Sequence, residues 1–170
     1  MILPRRLRWL WLTLAVVFLD RATKAWIESR PAGYFPHPLF DHINIVFSRN
    51  PGIAFSFLAN SSSQAVRLFL IFSSLLIIGV LAWLLVASRN GALSAAGLAL
   101  LLAGATGNIT DRIVHGAVTD FLQVWLPFLP WPIFNPWPTF NVADSAVTVG
   151  ALLIIFDVLF PQKRSVHPKQ

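Results

Sequence analysis

The stretch Gly107-Asn108-Ile109-Thr110-Asp111-Arg112 decides how this chain folds. It closes an apolar run that begins at Leu93, and it does so with an amide, a carboxylate and a guanidinium close together. An ionisable group at the end of such a run is costly in hydrocarbon, so it faces a partner or a cavity. Asn108, Asp111 and Arg112 stand three and four positions apart, which puts them on one helix face. Asp111 and Arg112 fit either a paired unit that shapes a site or an ordinary helix-end charge pair. The run itself carries Ala95, Ala96, Gly97, Ala99, Ala103, Gly104, Ala105 and Gly107. Small residues of this kind let membrane helices approach closely.

Composition agrees with a membrane setting. Hydrophobic residues make up 56% of the 170 positions and charged residues only 12%, where a soluble domain carries about a quarter charged. The length fits one integral membrane domain over residues 1–170. The net charge of +6 does not imply nucleic acid, because the basic residues gather at the chain ends and loop edges. With no cysteine there is no disulfide, no thiol nucleophile and no thiolate metal ligand.

Four spans are expected, at about 7–27, 65–87, 93–112 and 140–160, with outer segments 28–64 and 113–139. Met1–Asp20 alone resembles a secretory signal peptide. No small-residue cleavage site follows, however, and the helical pattern continues to Ile27. In the first outer segment, Ile43–Ser48 and Ile53–Phe57 alternate as strands do. The intervening Arg49-Asn50-Pro51-Gly52 has the Pro-Gly order of a type II turn. A small sheet on the membrane surface is the expected result. The second outer segment carries Trp125, Trp131, Trp137 and several prolines, as suits a headgroup interface. The fold expected is mainly α, four transmembrane helices with a small β-rich extracytoplasmic cradle. Arg5, Arg6, Arg8, Arg89, Lys163, Arg164 and Lys169 fall on one side, so both termini are expected in the cytoplasm.

This topology brings Asp120, just past the third span, and Asp144, in the first turns of the fourth, to the same leaflet. Two carboxylates held close cannot both ionise readily, so one keeps a proton. Such a pair can activate water and protonate a leaving amine. The competing reading is two unrelated interfacial acids, one of them favoured by a helix N-terminus. Asp20 and Lys24 have the spacing and order of a stabilising helical pair. Asn50 and Gly52 fit a turn, with Asn50 also free to bind substrate backbone. The histidines are scattered without a His-Glu-x-x-His pattern, so no metal site is expected. There is no Gly-x-Ser-x-Gly elbow. A Ser56–Lys24 dyad is a weaker alternative, and Asp157 lies towards the opposite side.

Five motifs occur in order: Asp20-Arg21-Ala22-Thr23-Lys24, Asn50-Pro51-Gly52-Ile53-Ala54-Phe55, Gly107–Arg112, Gly116-Ala117-Val118-Thr119-Asp120-Phe121 and Phe140-Asn141-Val142-Ala143-Asp144-Ser145. Together they resemble the bacterial lipoprotein signal peptidase family, also called signal peptidase II. The resemblance implies an aspartic endopeptidase of the inner membrane. It would remove signal peptides from diacylglyceryl-modified prolipoproteins, cutting just before the lipidated cysteine. It implies Asp120 and Asp144 as the catalytic pair, with Asp20, Lys24, Asn50, Gly52, Asn108, Asp111, Arg112 and Asn141 as binding or supporting residues. No cofactor is implied. The expected partners are the lipidated precursor and membrane lipids, with the chain acting as a monomer. Pro51 and Ile53 depart from the usual Asn-x-Gly-x-Ala-Phe stretch, and the 122–139 segment is long and rich in Pro and Trp. The rival reading, a small proton-coupled transporter or channel, needs charges near the midplane, whereas the acids here gather towards one end.

Overall fold

The computed structural model describes residues 8–52, 64–87, 91–132 and 135–160. Its elements are helix α1 (Trp9–Glu28), a 3-10 turn (Ala32–Tyr34), strands β1 (His37–Phe40) and β2 (Ile43–Asn50), helices α2 (Gln64–Ala87) and α3 (Ala92–Val114), strand β3 (Val118–Val124) and helix α4 (Val142–Leu159). Among the described residues, α2, α3 and α4 are long and apolar enough to cross a membrane. Helix α1 falls short of that composition because Asp20, Arg21, Lys24 and Glu28 crowd its last turns.

Helix α3 is the centre of the bundle and packs against α1, α2 and α4. Its small residues make this possible. A Cβ on Gly97 would lie 2.7 Å from the Gly150 carbonyl oxygen, and one on Gly150 would lie 2.7 Å from the Gly97 oxygen. A Cβ on Gly104 would collide with the Ala143 carbonyl. Gly97 and Gly104 thus meet Gly150 and Ala143, two matched contacts along antiparallel helices. At the α2 end of the bundle, Leu85, Ala95, Leu98 and Leu102 form a core with Trp9, Leu10 and Ile154. Only Leu85 is buried on α2, and Leu68, Phe72, Leu76 and Trp83 point outward. Large apolar side chains facing out along a whole helix require an apolar surround.

The small sheet is antiparallel in the order β1-β2-β3. Strand β2 is where the alternation placed it, but its partners are His37–Phe40 and Val118–Val124, on either side of it. The Ile53–Phe57 segment lies outside the described residues. Pro38 is tolerated in β1 because β1 is an edge strand. The turn after β2 does follow the Pro-Gly order: Gly52 has φ +100° and donates its N–H to Asn50 Oδ1 at 2.9 Å. Gly116, with φ +78°, lets the chain leave α3 and enter β3 directly. Beneath the sheet, Ile27, Ile45 and Phe121 form a second core that joins it to the end of α1.

Candidate active site

The C-terminal ends of α1 and α3, the N-terminal end of α4 and the strands β2 and β3 all meet at one end of the bundle. Asp120 sits on β3 opposite Ser48 of β2. The chain entering α4 is pinned to the same strand: Phe121 and Leu122 both donate their N–H to the Phe140 carbonyl, and Phe140 N–H returns to Leu122. That places Asn141 beside Asp120.

Asn141 then starts α4 as its N-cap. Its Oδ1 accepts from Asp144 N at 2.9 Å, while its own backbone N–H donates to Asp144 Oδ2 at 3.1 Å. This reciprocal capping box is what an Asn followed by an acid three residues later encodes. The Asn141 amide nitrogen points the other way and donates to Asp120 Oδ1 at 2.8 Å. One residue therefore holds both acids. Asn50 Nδ2 donates to Asp120 Oδ2 at 3.1 Å, and Asn108 Nδ2 donates to Asp144 Oδ1 at 2.7 Å. Asp144 is thus an acid in the first turn of α4 that shares Asn141 with Asp120.

Asp120 is 2% exposed. Burial lifts its carboxyl from the ordinary value of 3.8 to about 6; the neighbouring Asp144 charge adds to the rise, and the bonds from Asn50 and Asn141 oppose it. A carboxyl in this state holds its proton to higher pH than a free one, as acid–base chemistry by a pair requires.

Behind the pair lies a buried ionic frame. Lys24 Nζ lies 3.0 Å from Asp20 and 2.8 Å from Asp111, and it donates to Asn108 Oδ1 at 3.3 Å. Arg21 reaches Asp111 at 2.6 Å. Asp20 Oδ1 accepts from Ala143 N in the first turn of α4, at 3.1 Å. Asp20, Lys24 and Asp111 are all essentially inaccessible. The Lys24 ammonium group is engaged by Asp20, Asp111 and Asn108; Ser56 lies outside the described residues.

One expectation is corrected. Asp111 does not pair with Arg112. Neighbours on a helix diverge by about 100°, so Asp111 turns to α1, while Arg112 donates to the Asn108 carbonyl at 3.4 Å. Asp157 stands at the far end of the bundle, hydrogen-bonded by Ser94. The reading from sequence missed Arg21, Glu28 and Thr119. Arg21 was visible inside a motif, but no spacing rule shows that a side chain reaches another helix.

A cavity of about 420 Å³ opens beside Asp144, lined by Trp137, Phe140, Ser145, Thr148 and Val149. Its lining is mostly apolar, and it runs along the flank of α4.

A family model described as signal peptidase (SPase) II matches residues 12–160. The chain is 39% identical to a lipoprotein signal peptidase of Pseudomonas putida over 164 residues, 96% of this chain and 92% of that protein. It is 38% identical to one of Yersinia pseudotuberculosis, over 89% of this chain and 86% of that protein. A bacterial membrane enzyme solved by the in meso method at 2.3 Å superposes with a TM-score of 0.75 at 26% identity, covering 96% of this chain and 93% of the other. A second, at 1.9 Å, gives 0.75 at 27% identity, covering 91% and 94%. Fold and relatives together define the class: a membrane peptidase of the aspartic type. The chain belongs to the signal peptidase II family. That membership leaves the transporter reading without support.

Proposed function

We propose that Asp120 and Asp144 are the catalytic pair of a peptidase that removes signal peptides from diacylglyceryl-modified prolipoproteins, cutting before the lipidated cysteine. The observation that carries this reading is the shared Asn141, which hydrogen-bonds one acid through its side chain and the other through its backbone. The relatives named lipoprotein signal peptidases support the substrate class.

In this scheme Asp120, its carboxyl raised to about 6, supplies the proton that polarises the scissile carbonyl. Asp144, fixed by Asn108 and the α4 capping box, accepts a proton from the attacking water. The proton then passes to the leaving amine, and no covalent intermediate forms. Asn50 holds Asp120 in place, Gly52 shapes the Asn50 turn, and Arg112 lies close enough for its charge to interact with both acids.

A lipidated precursor stays in its bilayer, so the site must be entered sideways. The apolar cavity on the flank of α4 suits that approach. The remaining features fit one membrane domain over residues 1–170, with α1 as a fourth span whose polar last turns lie at the outer interface. Both termini would lie in the cytoplasm of an inner-membrane protein working as a monomer.

Incubation of the purified protein with a diacylglyceryl-modified precursor and its unlipidated counterpart tests the proposal. Cleavage of the lipidated form alone is expected. Equal cleavage of both, or of neither, contradicts it.

A further inference from the structure

The peptide that carries Asp120 is held from the side opposite the acid pair. Thr119 and Asp120 are neighbours on a strand, so their side chains point to opposite faces. Asp120 faces Asn50 and Asn141. Thr119 faces the end of α1, and its hydroxyl donates to Glu28 Oε1 at 2.7 Å. Thr119 is fully buried and every polar group on it is engaged: its N–H donates to Asp111 Oδ2 at 3.2 Å, and its carbonyl accepts from Asn141 Nδ2 at 3.3 Å.

Glu28 gathers groups from several elements. Arg49 of β2, which pairs with Thr119 across the sheet, places Nη2 3.2 Å from Glu28 Oε1. His115, just past α3, places Nδ1 3.7 Å from the same oxygen and 3.9 Å from Asp111 Oδ1. Asp111 in turn is bound to Lys24 and Arg21 of α1. Glu28 is the last residue of α1, so one carboxylate ties that helix to both strands of the site.

We propose that Glu28 is a positioning residue for Asp120, acting through the Thr119 hydroxyl to hold the strand at the register and depth that the acid pair needs. The role rests on the reading of Asp120 as catalytic. A strand released from α1 lets Asp120 shift and admits water around it. Reactions that depend on placement lose rate for displacements of this kind. Added water also relieves the desolvation that raises the Asp120 carboxyl.

The test is steady-state cleavage of the lipidated precursor, as kcat, KM and pH profile, by full-length Glu28→Ala, Glu28→Gln, Thr119→Val and Thr119→Ser, with Asp120→Asn as control. Glu28→Ala and Thr119→Val are each expected to lower kcat about ten-fold with little change in KM. Both should move the pH limb near 6 to lower pH. Glu28→Gln and Thr119→Ser, which keep the acceptor oxygen and the hydroxyl, should recover most of the rate. The double variant Glu28→Ala/Thr119→Val should be no slower than Glu28→Ala alone, because Glu28→Ala already removes the bond that Thr119→Val breaks. Wild-type kcat in Glu28→Ala, additive losses, or a loss that tracks only the folded fraction with the limb unmoved overturns the inference. Turnover in the Asp120→Asn control instead overturns the catalytic reading on which it rests.

Discussion

Asp120 and Asp144 come from a strand and a helix separated by a Trp- and Pro-rich connection, yet both hydrogen-bond Asn141, one through its amide side chain at 2.8 Å and the other through its backbone N–H at 3.1 Å. The same residue caps α4. Fold and acid pair therefore share a part, and that coupling can be separated by substitution.

Asn141→Ser keeps a good N-cap but loses the amide that reaches Asp120. Asn141→Ala loses both. Thermal unfolding in detergent should show Asn141→Ala destabilised by about 1 kcal/mol relative to Asn141→Ser. Cleavage should fall at least about a hundred-fold in both variants. Activity in Asn141→Ser close to wild type would show that only the cap matters.

Lys24 lies between two buried carboxylates, 3.0 and 2.8 Å away. Its removal leaves buried negative charge uncompensated, which costs about 3–5 kcal/mol. Lys24→Met should lower the melting temperature sharply. Adding Asp111→Asn to Lys24→Met should recover part of the loss. Failure of the second substitution to recover any stability would argue against an ionic frame.

Gly104 faces the carbonyl of Ala143, one residue before Asp144. Gly104→Leu forces α3 and α4 apart at the level where α4 carries its acid. Overpacking of this kind costs about 1–3 kcal/mol. Leucine on the outward face, as in Gly79→Leu where a Cβ meets nothing, should leave cleavage unchanged. Equal effects of the two substitutions would remove the close approach from the account.

Asp120 also makes stability depend on pH. Its folded value is about 6 against an ordinary 3.8, so the folded state holds the proton more tightly. Between those values stability falls as pH rises, and the penalty is complete above about 6 and absent below about 4. The melting temperature of wild type relative to Asp120→Asn should therefore drop across that window. A difference that stays constant from pH 4 to pH 7 would contradict the burial of a titrating carboxyl.

Much of this was legible in the sequence for physical reasons. The apolar runs marked the helices, because a helix exposed to lipid has no polar face to hide its length. The glycines and alanines of 95–107 marked the helix that others pack on. Asn141 and Asp144 have the spacing of a capping box, although that signal was not used. Strand β3 was hidden because Val118–Val124 lies inside a segment whose Pro and Trp suggested loop throughout. Its Val, Thr, Phe and Leu between Gly116 and Pro127 were the available sign. The partners of β2 could not be read, since pairing is a long-range property. The frame around Lys24 was half visible: the helical Asp20–Lys24 spacing was local, whereas the contacts to Asp111 and Asn108 cross between helices.

The most direct measurement is single-turnover cleavage of the lipidated precursor by Asp120→Asn and Asp144→Asn, each verified as folded in detergent. Both are expected to show no turnover above background while retaining a wild-type-like unfolding transition. Substantial cleavage by either folded variant would contradict an acid pair at this site.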